Sequence, residues 1–289
     1  MLAISNPRAS GGGHRRDMPR IMAALGSLGY EVDERHTSAP GDATEFAREA
    51  VSGGYALVCA LGGDGTVNET VNGLAGGSVP LAIVPMGTVN VLAMELDIPL
   101  DPPDAVRVIE KGSLSWIDLG LAGDRHFALM AGVGMDARTV AGVNPILKKT
   151  LKEAAFAVQG AVSYFTHDEP LFRVEAEEQT EEGYFAVFGN ASNYGGAFGI
   201  TPYADMRDGL LDVCVLKDKS FLGTAWYWLA ALINSHVNHP KVAYFRTEAA
   251  RVSAVDPRQE VLVQTDGEVA GKLPLECKVV PRALRVVVP

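Results

Sequence analysis

The 289-residue chain is poor in cysteine, with only Cys59, Cys214 and Cys277. None belongs to a Cys-x-x-Cys pair, and no Cys/His cluster has zinc-ligand spacing, so neither a disulfide framework nor a thiolate metal site is on offer. Each cysteine lies inside an apolar, strand-like run and reads as a core thiol in a reducing compartment. Basic residues are outnumbered, 25 Lys and Arg against 35 Asp and Glu, for a formal net charge of −10. That balance argues against nucleic acid as a partner, because phosphate backbones call for a basic stripe. It also argues against attraction of the whole surface to anionic lipid. No run of about 18 apolar residues is present, the length that would span a bilayer. Internal repeats and low-complexity tracts are lacking as well. The opening residues, Met1-Leu2-Ala3-Ile4-Ser5-Asn6, read as a strand and not as a secretory leader, so the expected location is the cytoplasm.

What is present is apolar mass, 47% of the residues, on a chain long enough for two ordinary domains. Over 1–114, short apolar runs alternate with segments of helical spacing. Strands are expected at 2–5, 31–36, 56–61 and 81–84, and helices at 18–28, 42–51 and 104–110, with further helices after the turns at 62–65 and 85–90. Asp42-Ala43-Thr44-Glu45 has the form of a capping box. This repetition predicts parallel strands with helical crossovers, whose ligands bind beyond the carboxyl ends of the strands. Beyond 115 the pattern becomes mainly antiparallel β, with strands expected at 116–121, 126–131, 171–176, 184–188, 211–216, 252–255, 261–264 and 284–288 and helices at 146–165 and 220–236. The division is therefore 1–114 and 115–283, with 284–289 a candidate to complete the first domain. Glu175, Glu177, Glu178, Glu181 and Glu182 mark a solvated hairpin tip.

The segment Leu61-Gly62-Gly63-Asp64-Gly65-Thr66-Val67-Asn68-Glu69 carries the chemistry. It joins a buried strand to a helix with apolar residues at Val67, Val71 and Leu74, the setting in which backbone N–H groups converge on phosphate. The side chain in the turn is a carboxylate and not a lysine. A carboxylate repels phosphate unless it has a proton to accept or a cation to hold, so the turn suggests phosphoryl transfer rather than plain anion binding.

Gly62-Gly63-Asp64-Gly65-Thr66-Val67-Asn68-Glu69 resembles the nucleotide signature of the diacylglycerol kinase catalytic-domain family, which includes bacterial lipid kinases and sphingosine kinases. Further matching pieces follow in order: Asn6-Pro7 with Ser10-Gly11, Thr37 before Gly41-Asp42-Ala43, Pro85-Met86-Gly87-Thr88-Val89-Asn90, Trp116-Ile117-Asp118-Leu119-Gly120, Gly132-Val133-Gly134-Met135-Asp136-Ala137, Asp208-Gly209-Leu210-Leu211-Asp212-Val213, and Gln264-Thr265-Asp266-Gly267-Glu268. The resemblance implies an α/β fold, a Rossmann-like N-terminal nucleotide domain followed by a C-terminal antiparallel β-sandwich domain of the NAD-kinase/diacylglycerol-kinase type. It implies ATP contacts from Asn6, Ser10, Thr37, Gly62, Gly63, Asp64, Gly65, Thr66, Asn68 and Thr88. Asp266 and Glu268 would reach the active site from the second domain, and either Glu268 or Asp64 would take the proton of the lipid hydroxyl, with Glu268 preferred. The backbone carbonyls of Asp205 and Leu210 and the carboxylate of Asp208 would hold a Mg²⁺ that supports the fold.

The function so implied is an ATP- and Mg²⁺-dependent lipid kinase acting on a diacylglycerol-like or sphingoid hydroxyl, cytoplasmic and peripherally membrane-associated, with no nucleic-acid partner and a homodimer left open. Many bacterial members have Asp directly after the Asn of the third loop, where this chain has Val91. An NAD kinase shares the Gly-Gly-Asp-Gly loop and is the first alternative; a catalytically silent lipid-binding regulator is the second. Asp136 is a candidate contact for a lipid head-group hydroxyl or a structural Asp. The apolar stretch 221–233, with Trp226 and Trp228, reads as a packed helix, or else as a lipid-tail pocket or membrane-facing edge. His14, Arg15 and Arg16 could touch phosphates or form a solvated helix start.

Overall fold

The computed structural model describes residues 1–7, 13–135, 137–138, 170–193 and 199–289. They divide into two compact units, Met1–Leu119 with Pro281–Pro289, and Gly120–Val280. The expected helix at 146–165 and the residues Ser10 and Asp136 lie outside the described residues.

The first unit alternates strand and helix: β1 (Leu2–Ser5), α1 (Gly13–Ser27), β2 (Asp33–His36), α2 (Asp42–Ser52), β3 (Val58–Gly62), α3 (Asp64–Leu74), β4 (Leu81–Pro85), α4 (Val91–Glu95) and α5 (Pro102–Lys111). The parallel sheet runs β2-β1-β3-β4 and is extended beyond β4 by the end of the last strand, β16 (Leu275–Val288), at Val286 beside Leu81. β1, β3 and β4 are buried along their whole length, which is why they read as unbroken apolar runs rather than alternating ones. β2 is the edge strand, and its four residues, Asp-Glu-Arg-His, are all exposed and charged or polar, a composition that discourages pairing with another chain. The helices pack as α2 on α3 and α1 on α5.

The second unit contains two sheets. β7 (Met130–Gly134), β10 (Phe185–Gly189), β11 (Leu211–Leu216), β12 (Val242–Thr247), β14 (Leu262–Thr265) and β15 (Glu268–Lys272) form one, in the order β12-β11-β10-β7-β14-β15. β8 (Phe172–Ala176), β9 (Thr180–Gly183), β13 (Ala249–Ala254) and the first residues of β16 form the other, and β5 (Ser113–Ala122) pairs with β6 (Arg125–Phe127). Their inner faces share one core that includes Phe127, Val133, Phe172, Val174, Phe188, Val213, Phe245, Val252, Val263 and Cys277. β8 and β13 alternate buried and exposed residues, as strands covered on one face do. α6 (Phe221–Ala231) starts at Ser220, whose hydroxyl accepts the Gly223 N–H.

The structure differs from the sequence expectations in three places. The run expected as one strand at 126–131 is two, β6 and β7, because the amides of 128 and 129 turn to Asp266. The helix expected at 220–236 ends at Ala231 and is followed by a 3-10 turn, His236–Asn238. β9, β12 and β15 are additional strands. β9 and β15 are rich in charge and glycine and carry little β-propensity of their own; hydrogen bonding to β8 and β14 makes them strands. All three cysteines are buried, and burial pushes the Cys59 and Cys214 thiols up to about 12, so they are inert as nucleophiles.

The α2–α3 contact depends on a missing side chain. A Cβ at Gly73 would lie 2.5 Å from Ala47 Cβ and 2.5 Å from the Thr44 carbonyl oxygen. Alanine normally favours a helix over glycine by about 1 kcal/mol. Overpacking against backbone costs about 1–3 kcal/mol, so the clash decides the sign. Gly73→Ala is expected to lower the unfolding free energy by about 1–2 kcal/mol in urea melts; equal or higher stability would mean the helices separate there without cost.

Candidate functional site

Parallel strands in register end together. Ser5 lies beside His36 and Leu61, Leu61 beside Val84, and Gly62 beside Pro85. The segments that follow therefore emerge along one edge of the first unit. Thr37 N donates to Ser5 O at 2.8 Å, Met86 N to Gly62 O at 2.8 Å and Asn6 N to Leu61 O at 3.3 Å. Of the ATP-contact candidates, the structure brings Asn6, Thr37, Gly62, Gly63, Asp64, Gly65, Thr66, Asn68 and Thr88 to this edge.

Glycine is required where two of these turns touch. A Cβ on Gly87 would lie 2.5 Å from Gly63 Cα, and one on Gly63 3.0 Å from Gly87 Cα. Asp64 completes the junction: its Oδ2 accepts the Asn90 N–H at 3.0 Å and its Oδ1 the Val91 N–H at 2.6 Å. Asn90 has φ +60°, a conformation Asn tolerates, and its side chain accepts from Gly87 N and donates to Gly87 O. Glu69, on α3, holds the next turn. Its Oε1 accepts from Gly41 N at 2.9 Å, its Oε2 from Ala43 N at 3.1 Å, and its carbonyl from Thr44 Oγ1 at 2.9 Å. This overturns the capping box expected at 42–45. Gly41 is the N-cap in the left-handed region and contributes no side chain, Asp42 accepts from Ser38 and Ala39 upstream, and Glu45 pairs with Arg48. The bonds from Ser38 and Ala39 hold the exposed Asp42 carboxyl below its usual range. No local signal marks Glu69 or Asn90 for these roles, because Glu69 acts on amides 26 and 28 residues upstream and Asn90 needs its left-handed backbone to reach Gly87.

The start of α3 is open. Gly63 is its N-cap and no side chain caps it among the described residues. The first-turn N–H groups lack intrahelical partners and suit an anionic oxygen. Asn68, one turn along, is buried; its Oδ1 accepts from Asn72 Nδ2, while its own Nδ2 has no partner among the described residues. A buried donor without an acceptor is unfavourable by about 1–3 kcal/mol. A ligand oxygen would satisfy it, and in this respect the turn fits a nucleotide.

In the second unit, Asp266 and Glu268 differ sharply. Asp266 sits at φ +47° in the turn between β14 and β15. Its Oδ2 accepts from Ala128 N at 2.8 Å and its Oδ1 from Leu129 N at 3.0 Å and Met130 N at 2.9 Å. Burial pushes its carboxyl up to about 6, against the opposing pull of those three N–H bonds and Arg125. Glu268 is half-exposed at the start of β15, and its Oε2 pairs with the Arg125 guanidinium. Asp205 and Asp208 each close a turn, Asp205 Oδ1 accepting from Arg207 N and Asp208 Oδ1 from Leu210 N, and Asp208 Oδ2 lies 3.5 Å from Arg246. Among the described residues no three His, Cys, Asp or Glu side chains gather as a metal set. One carboxylate with two backbone carbonyls is nevertheless the hard, all-oxygen chemistry that Mg²⁺ prefers. Next to this loop Asp212 is fully buried, its carboxyl raised by burial, and it accepts from Tyr244 OH at 2.6 Å.

Because the Asp266 carboxyl is raised in the folded chain, its contribution to stability is full below about pH 4 and is lost as pH rises through about 6. The stability of the wild type relative to Asp266→Asn should therefore fall, by on the order of 2 kcal/mol, between pH 4 and 6.5 and stay flat above. Chemical denaturation across that range checks it; a difference that grows with pH would mean that the three N–H bonds outweigh burial.

The diacylglycerol kinase catalytic domain model matches residues 1–122, and the YegS C-terminal NAD kinase beta sandwich-like domain model matches 129–288. A diacylglycerol kinase of Staphylococcus aureus (strain bovine RF122 / ET3-1) is 30% identical over 94% of this chain and 86% of its own length. One of Staphylococcus haemolyticus (strain JCSC1435) is 29% identical over 99% of this chain and 87% of its own. The crystal structure of a diacylglycerol kinase from Bacillus anthracis str. Sterne superposes with a TM-score of 0.76, covering 100% of this chain and 96% of that one at 22% identity, a likeness of fold. With two domain models spanning nearly all of the sequence and a relative matched along almost its full length, the chain belongs to the diacylglycerol kinase catalytic-domain family.

Proposed function

We propose that the protein is an ATP-dependent lipid kinase that transfers the γ-phosphoryl group to a hydroxyl of a membrane lipid, diacylglycerol-like or sphingoid. The observation that carries this reading is the open start of α3 with the unpartnered Asn68 amide, at the edge where four strand ends meet, in a member of this family. Asn6, Thr37, the 62–68 turn and Thr88 would bind the nucleotide, with Ser10 completing the first loop. The lipid hydroxyl attacks the γ-phosphorus, its proton passes to a carboxylate, and ADP leaves. Glu268 suits the proton-accepting role better than Asp64, because both oxygens of Asp64 already accept backbone N–H groups. Glu268 Oε1 has no partner among the described residues.

Mg²⁺ would neutralise phosphate charge, and a second, fold-supporting Mg²⁺ would be held by the Asp205 and Leu210 carbonyls and the Asp208 carboxylate. A lipid substrate implies peripheral membrane contact, since no helix among the described residues is long and apolar enough to cross a membrane. Around α6, Trp226, Leu229, Leu232 and Ile233 are exposed, and 221–233 carries no charged residue. The exposed tryptophan beside exposed aliphatic side chains supports an interfacial role for that helix.

A labelled-ATP assay that offers short-chain diacylglycerol, a sphingoid base and NAD side by side should give lipid-dependent transfer in the wild type. Glu268→Gln should lower kcat by about 10²–10⁴-fold while ATP still binds. Transfer to NAD alone would replace the lipid reading with NAD kinase, and no transfer would favour a silent lipid-binding regulator. For the metal, Mg²⁺ is expected to raise the melting temperature of the wild type and not of Asp208→Ala; equal shifts in both would place the cation elsewhere.

A further inference from the structure

We infer that Asp266 is a positioning residue that sets the place of Glu268, and that it takes no proton from substrate. The inference rests on the reading of Glu268 as the base. Asp266 grips the bend between β6 and β7 twice over. Its carboxylate accepts the N–H groups of Ala128, Leu129 and Met130, and its own N–H donates to Met130 O at 3.0 Å. The other carbonyls of that bend are held from β10 and its end, with Asn190 Nδ2 donating to Ala128 O at 2.7 Å and Asn190 N to Leu129 O at 2.8 Å. The bend is thus tied on both its donor and acceptor sides.

Glu268 lies two residues beyond this clamp, after Gly267 at φ +81°, whose N–H is taken by Gln264 Oε1 at 2.7 Å. Arg125, its ion-pair partner, lies three residues before the clamp on β6. Asp266 therefore fastens together the two short segments that present Glu268 and Arg125. Side chains alternate faces along a strand, so a one-residue slip of the β14–β15 hairpin against β7 would carry Glu268 to the other face. With three N–H groups aimed at its two oxygens, Asp266 is placed to resist that slip, and its oxygens are turned to the backbone of the bend. Asparagine at 266 would keep the size and tolerate the left-handed backbone. Its amide would offer the bend one acceptor oxygen in place of two.

The test is a double-mutant cycle in kcat at saturating ATP and lipid, using wild type, Asp266→Asn, Glu268→Gln and the double variant. Asp266→Asn is expected to lower kcat by about 10–100-fold with the KM for ATP unchanged, as displacement of a reacting group does. In the Glu268→Gln background the same change should cost less than about threefold, since a misplaced glutamine has no base to lose. Asp266→Ser, whose shorter side chain can accept at most one of the three N–H groups, should lower kcat at least as much as Asp266→Asn, and it serves should the Asn variant fail to fold. Wild-type kcat in the folded Asp266 variants, or effects that multiply in the double variant, would overturn the inference. Full activity of Glu268→Gln alone would instead remove the base assignment, and this inference with it, and is recognised in the single variant.

Discussion

Every loop that follows a strand or opens a helix exposes backbone N–H groups that secondary structure does not satisfy, and in this chain carboxylates satisfy them from a distance. Asp64 receives the amides of Asn90 and Val91, Glu69 those of Gly41 and Ala43, Asp266 those of Ala128, Leu129 and Met130, and Asp118 that of Arg282. Each bond links segments far apart in the chain. Hydrogen bonds to charged groups contribute about 1.5–3 kcal/mol, more than neutral ones, so a few of them can hold loops that bury little apolar surface. The rest of the candidate site is arranged around these clamps.

In the first unit the clamps fill the starts of α2 and α4 and leave that of α3 open. Glu69 occupies amides at the start of α2, and Asp64 occupies the two amides at the start of α4, whereas α3 begins at Gly63 without a side-chain cap among the described residues. The contact of Gly63 with Gly87 brings the third and fourth strand ends close enough for Asp64 to bridge them. In the second unit the same chemistry acts on a β bend and holds the Asp266-Gly267-Glu268 turn, where one acid is engaged by backbone and the other is presented on a half-exposed strand end.

Much of this was legible in the residues themselves. Continuous apolar runs identified β1, β3 and β4, and the Gly-Gly-Asp-Gly turn marked the join of β3 to α3, because strand, glycine and helix signals are all local. The capping box at 42–45 misled for the converse reason. Asp and Glu at that spacing can cap a helix, but here Glu69 takes the amides of Gly41 and Ala43 from a packed neighbour, and tertiary contact won over local propensity. The run at 126–131 looked like one strand because apolarity does not reveal that two of its amides face a carboxylate more than 130 residues later in the chain. Asp266 and Glu268 look equivalent as letters, and only their hydrogen-bond partners separate them.

By itself the sequence determined the parallel α/β character of the first unit, the β character of the second and the family, since periodicity and short motifs depend on neighbours within a few residues. Tertiary structure decided which acids are spent on backbone N–H groups and which are not. It also decided that the final strand serves both units, pairing with β13 at its start and β4 at its end. These outcomes hang on groups brought together from 26 to 205 positions apart. A hydrogen bond of that reach has no periodicity to announce it, and it exists only once the chain has folded.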